Sequence, residues 1–200
     1  YSQCGLSFLR QHALAKTHRV IIPDLRGHGQ SDKPLNADAY ATSEPWANDV
    51  KAIIDTLNLQ NPLLVGWSMG GWVVNDYIRT FGDTDIAGIA LVGSSITTGR
   101  QLPPEAFAAR SSNPDVAATA MRGDDLGANL VATAKFVQVC FSTPLPADDL
   151  AFMTGFNMLC PAPVREACRT RNEDYRDTSV AMTKPALILW GKHEHLAPAP

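Results

Sequence analysis

Four short apolar runs punctuate the chain: Val20-Ile21-Ile22, Pro62-Leu63-Leu64-Val65, Ile86 to Val92 (IAGIALV) and Pro185 to Trp190 (PALILW). They are apolar almost throughout, without the in-out alternation of a strand with one wet face. Each therefore predicts a strand buried on both sides. Stretches of helical periodicity lie between them. Residues 6 to 16 carry Leu6, Leu9, Ala13 and Leu14 at roughly helical spacing. Residues 43 to 57 have Ser43 as an N-cap candidate, Pro45 in the first turn and Val50, Ile53, Ile54 and Leu57 on one face. Residues 70 to 81 form the next helix, closed by Gly82. Alternation of this kind predicts an α/β fold, a parallel sheet with helices on both faces.

The stretch from about 100 to 180 breaks the rhythm. Helical segments at Leu126 to Phe141 and Asp148 to Met158, punctuated by prolines, fit an insertion better than a second independent domain. The chain then divides into a first part of the core (1–100), a helical insertion (101–180) and a last strand and loop (181–200). Two hundred residues, 45% hydrophobic and 18% charged, suffice for one sizeable core. A net charge of −3 with scattered basic residues argues against nucleic acid or anionic lipid as partner, and no apolar run is long enough to span a bilayer. Cys4, Cys140, Cys160 and Cys168 lack C-x-x-C spacing and read as buried or idle thiols, with the cytoplasm the favoured compartment. A chain that opens on Tyr1 and closes on Ala-Pro-Ala-Pro reads as an internal piece of a longer protein, with any targeting signal out of view.

The motif that carries chemistry is VGWSMGG, residues 65 to 71. Strand, Gly-x-Ser-x-Gly, then helix describes a sharp turn whose flanking positions must be small and whose serine hydroxyl stands above the sheet. Ser68 reads as a nucleophile, and the Met69 N–H, at the start of the helix, as a donor to an oxyanion. The plainer alternative is a glycine-rich turn whose serine caps the helix.

Three stretches together resemble the α/β-hydrolase fold family, in its serine-nucleophile, esterase- and haloperoxidase-like branch. HRVIIPDLRGHGQSDKP (18–34) is similar to that family's strand and Arg-Gly-x-Gly-x-Ser loop, and GWSMGG matches its nucleophile elbow. PALILWGKHEHLAP (185–198) is similar to the strand and loop that deliver the triad acid, with Gly191, Glu194 and Pro198 in the family's spacing and Glu in place of the commoner Asp. The resemblance implies acyl transfer with Ser68 as nucleophile, Glu194 as acid and no cofactor or metal, on a small-molecule substrate. Dehalogenase or epoxide hydrolase chemistry needs an aspartate at the elbow. It also implies that the insertion caps the serine, where its many apolar side chains favour a hydrophobic acyl or aromatic group. Trp67 and His28 are the substrate-side candidates, His28 from the Arg-Gly-x-Gly loop near the mouth of the site.

The base is missing from this pattern, since the family places its His on a loop after the last strand. His12 and His18 precede the first apolar run, and His193 and His195 flank Glu194, where either would compete with the acid for one location. Two histidines on one loop without a third ligand make a poor metal site. The chain alone is therefore expected to turn over ester slowly, and lost strands should expose edges and apolar surface. A cofactor-free haloperoxidase or perhydrolase, and a non-catalytic ligand-binding relative, are the alternatives to a small-ester hydrolase. Arg165, Arg169, Arg171 and Arg176, alternating with Glu166, Glu173 and Asp174, read as a solvated helix face.

Overall fold

The computed structural model describes residues 1–104, 108 and 120–194. His195 and Pro198 lie outside the described residues, as does most of 105–119. Two compact units form: one from Asp38–Ser112 and Ala167–Pro200 together with Tyr1, the other from Ser2–Ala37 and Asn113–Glu166.

The first unit is α/β. Strands β1 (Leu63–Trp67), β2 (Gly88–Val92) and β3 (Ala186–Leu189) form a parallel sheet in the order β1-β2-β3, with Leu64 opposite Ile89 and Val92 opposite Leu189. Parallel neighbours need crossover connections, and helix α3 (Met69–Phe81) supplies the one between β1 and β2. It follows a short helix α1 (Asp38–Ala41) and α2 (Ser43–Thr56), against which it packs. Ile54, Val74, Tyr77, Ile78, Ile86, Ile89 and Leu91 make one buried cluster, closed at its margin by Val50, Leu59, Leu64 and Met182. Fully burying such a side chain is worth about 1.5–3 kcal/mol, so this seam of helix on sheet holds the unit together. At alternate positions of β1, Leu63 and Val65 stay 59% and 57% exposed. Thr42, in extended conformation, is the N-cap of α2, one residue earlier than Ser43. Gly82 closes α3 at φ 75°, a value that suits glycine.

The second unit holds α4 (Leu126–Val139), capped by the Asp125 side chain accepting from the Ala128 N–H, and α5 (Ala147–Asn157). Helix α6 (Ala162–Arg169) follows, then α7 (Arg176–Ala181) of the first unit. Two expectations change in the second unit. Val20-Ile21-Ile22 belongs to no strand, because a strand exists only through its ladder and no described strand pairs with this run. Residues Gly5–Lys16 wind as a 3₁₀ helix broken at Phe8, with Leu6, Leu9 and Leu14 41–53% exposed. With no buried face to reward it, the α form loses its main source of stability.

Two of the four arginines overturn the solvated-face expectation more sharply, while Arg169 and Arg176 are exposed as expected. Arg165 is 1% exposed, and its guanidinium donates to Met121 O, Asn129 Oδ1, Thr133 Oγ1 and Asn157 O at 2.7–3.1 Å. Arg171 is equally buried and makes two bonds to the Asp76 carboxylate, at 2.7 and 2.8 Å. Tyr175 Oη donates to Asp76 Oδ1 at 2.6 Å, and Trp46 lies 5.6 Å from the guanidinium. Burial pushes the Asp76 carboxyl up, against the pull of Arg171 and Tyr175. Charge alternation says nothing about depth, and these side chains are long enough to turn inward when acceptors await them. Asp76→Ala is expected to lower unfolding free energy by about 3–5 kcal/mol in a denaturant titration, because it strands a cation. The paired change Asp76→Leu with Arg171→Met should recover most of that loss.

No helix among the described residues is long and apolar enough to cross a membrane.

Candidate active site

Strand β1 ends at Trp67 and α3 begins at Met69, leaving Ser68 alone to make the turn at φ 52°, ψ −119°. A residue other than glycine in that region is strained by roughly 1–3 kcal/mol and persists only where its surroundings force it. They do so here: Ser68 N donates to Val92 O of the adjacent strand at 2.8 Å, and Gly71 N returns to Ser68 O at 2.9 Å. Ser68 occupies the N-cap position of α3, yet its side chain makes no capping bond. The plainer reading, a serine present to cap its helix, therefore fails. Ser68 is half-buried, while Met69, next in the chain, is 2% exposed. The Met69 N–H belongs to the first turn of α3 and has no acceptor within the helix.

Steric demand falls on two glycines, and one is not where the motif predicts it. A Cβ on Gly66 would lie 2.5 Å from Gly70 O and Gly71 N, and one on Gly71 would lie 2.6 Å from Ser94 Cβ. A Cβ on Gly70 would meet no described atom within 4 Å. The last glycine of Gly-x-Ser-x-Gly is thus not required for space; its neighbour is. Trp67 is half-buried beside the serine, and Trp72 Nε1 donates to Ser95 Oγ at 3.4 Å.

Glu194 sits half-buried on the loop after β3, its N–H closing a turn onto Gly191 O at 3.0 Å. Its Oε2 lies 3.6 Å from where a Cβ of Gly93 would be, and Gly93 (φ 51°) directly follows β2. Ser68 and Glu194 therefore both lie at the carboxyl end of the sheet, Ser68 against Val92 and Glu194 near Gly93. That end of an open parallel sheet is where ligands bind. His193, beside the acid, is exposed.

His28 belongs to the second unit, in a loop pinned by Asp24, whose Oδ1 accepts from Gly5 N at 2.6 Å and Oδ2 from Gln30 N at 2.7 Å. The imidazole is 1% exposed, and Nδ1 donates to Arg26 O at 2.8 Å, which leaves Nε2 as a buried acceptor with no hydrogen-bond partner among the described residues. Burial lowers its pKa to about 4 from the usual 6.5, so it is neutral at pH 7. The unfolded chain binds the extra proton first, so stability is expected to fall as pH drops from about 6.5 to 4. The loss is about 3 kcal/mol at its full extent. Denaturant titrations across that window should show a smaller acid loss in His28→Gln.

A cavity of about 220 Å³ lined by Asp124, Asn129, Met158 and Cys160 lies in the second unit and contains no elbow residue. Burial pushes the Cys160 thiol up to about 11, which leaves it unreactive at neutral pH.

Asp76 and Asp83, each engaged by the stretch 171–184, were missed by reasoning from sequence. Asn75-Asp76 inside the otherwise apolar WVVNDYI was the visible signal: a carboxylate on a buried helix face demands a partner.

A strained serine turn between strand and helix at the carboxyl end of a parallel sheet, with a carboxylate on the loop after a later strand, defines a class of fold, and comparison with known proteins names it. The family model of the alpha/beta hydrolase fold matches residues 7–199, and the chain belongs to that family. It is 30% identical over 186 residues to the AB hydrolase superfamily protein YisY of Bacillus subtilis (strain 168), covering 90% of this chain and 65% of that protein. It is 32% identical over 102 residues to a non-heme chloroperoxidase of Streptomyces lividans, 51% of this chain and 33% of the other. Among solved structures, the esterase RhEst1 of Rhodococcus sp. ECU1013 superposes with a TM-score of 0.85 at 26% identity, over 98% of this chain and 71% of that one. The chain thus spans less than two thirds of the length of these curated relatives.

Proposed function

We propose that the chain carries the nucleophile and the acid of a serine acyl-transfer site acting on small hydrophobic esters. The observation behind this reading is Ser68, held in a strained turn with its hydroxyl unused by the helix it begins. In the proposed mechanism Ser68 Oγ attacks the carbonyl and the Met69 N–H stabilises the oxyanion. Glu194 orients a histidine from a part of the protein beyond these residues, and that histidine takes the serine proton and returns it to the leaving alcohol. Water then releases the acyl group. The second oxyanion donor likewise lies beyond these residues. Trp67 faces the substrate side, while His28, 1% exposed with Nδ1 on Arg26 O, holds its own loop. On this reading residues 1–200 alone turn over ester slowly.

The likeness to an esterase and to a chloroperoxidase supports acyl-enzyme chemistry. The second reading, perhydrolysis, shares every step up to the acyl-enzyme and differs in letting hydrogen peroxide take the acyl group. The test is a fluorophosphonate probe applied to the full-length protein. Covalent labelling at Ser68, lost in Ser68→Ala, is expected. A folded protein that takes no label would mean a ligand-binding relative instead.

A further inference from the structure

Two carboxylates seven residues apart, Asp76 within α3 and Asp83 just beyond it, hold the stretch of chain that leads into β3. Asp76 takes Arg171 and Tyr175 as described above. Asp83, 9% exposed, accepts at Oδ2 from Thr183 N at 2.6 Å and Lys184 N at 2.9 Å, and from Thr183 Oγ1 at 3.2 Å. Those two N–H bonds, Thr183 first, hold the Asp83 carboxyl below the usual range. β3 starts two residues after Lys184 and ends five residues before Glu194.

β3 needs such an anchor. It has four residues, Ala-Leu-Ile-Leu, apolar at every position, and among the described strands it pairs with β2 alone. No in-out alternation within the strand therefore chooses its register. A strand advances about 3.3 Å per residue, and a slip of one residue turns every side chain to the other face. Fixing the start of β3 fixes where its far end delivers the acid. We propose that Asp83 is a positioning residue that sets Glu194 against Ser68 through the register of β3. This rests on the proposed roles of Ser68 and Glu194. The turn that closes the nucleophile helix thereby carries a reference mark for the acid.

The experiment uses the full-length protein, with p-nitrophenyl acetate hydrolysis across pH and hydrogen exchange of peptides covering 183–194, in wild type, Asp83→Ala and Asp83→Asn. Asp83→Ala should lower kcat about 10²-fold with little change in KM, the order of loss that a misplacement of 1 Å brings. The acid limb of kcat/KM should move to lower pH, because an imidazolium parted from its carboxylate loses its proton more readily. Amides of 186–190 should exchange at least about tenfold faster. Asp83→Asn keeps one acceptor and should fall between. If Asp83→Ala does not fold, Asp83→Asn and Thr183→Val carry the same measurements. An acid limb and a β3 exchange rate equal to wild type, in a variant that has only lost stability, overturn the proposal. A wild type without Ser68-dependent turnover overturns the functional reading instead. The exchange rates then decide alone: faster in the variants supports the anchor, unchanged refutes it.

Discussion

Ser68→Ala in the full-length protein is expected to cut kcat for p-nitrophenyl acetate by about 10⁵–10⁶-fold while leaving the thermal midpoint at or above that of wild type. The loss follows from chemistry: without Oγ no acyl-enzyme forms, and what remains is whatever the oxyanion amide and pocket give to attack by water. The unchanged stability follows from structure. The hydroxyl makes no capping bond, and alanine at φ 52° is no more strained than serine, so nothing that holds the elbow together is removed. A variant that keeps more than about a hundredth of the activity would place the nucleophile elsewhere.

Glu194→Gln is expected to lower kcat by about 10⁴-fold with folding intact. The amide fits the same space on the loop after β3, but it cannot stabilise the imidazolium that forms when the base takes the serine proton. It also presents an N–H where the base needs an acceptor. Sequence points to the same residue by exclusion. The other common place for the acid in this family follows the second observed strand, where Gly93-Ser94-Ser95-Ile96 offers no carboxylate. Near-wild-type turnover in Glu194→Gln, measured beside circular dichroism, would remove Glu194 from the mechanism.

Much of the first unit could be read from residue order because its signals are local. Leu63 to Val65 and Met69 to Phe81 are set by a short apolar run, a glycine-rich turn and a glycine stop, all within twenty residues. The turn's strain was legible for the same reason, since only a tight turn asks for glycines so closely spaced on both sides of one serine. What failed was long-range. Val20-Ile21-Ile22 has the composition of a strand, but a ladder needs a partner that the run itself does not specify. Arg165 and Arg171 look solvated beside Glu166 and Glu173, and only the fold brings them to Asn129, Thr133 and Asp76. The motif also misled in one letter, because the helix comes close to Ser94 at Gly71, one residue later than the pattern suggests.

The open space beside Gly70 makes this position a handle for protein engineering. It lies two residues from Ser68 on the first turn of α3, yet an added methyl would strike no described atom, and alanine suits a helix by up to about 1 kcal/mol better than glycine. A library confined to position 70 can therefore sample new side chains next to the proposed nucleophile without touching the two glycines that shape the turn. Laboratory selection for altered substrate preference has there a site where variation and a sound fold are compatible.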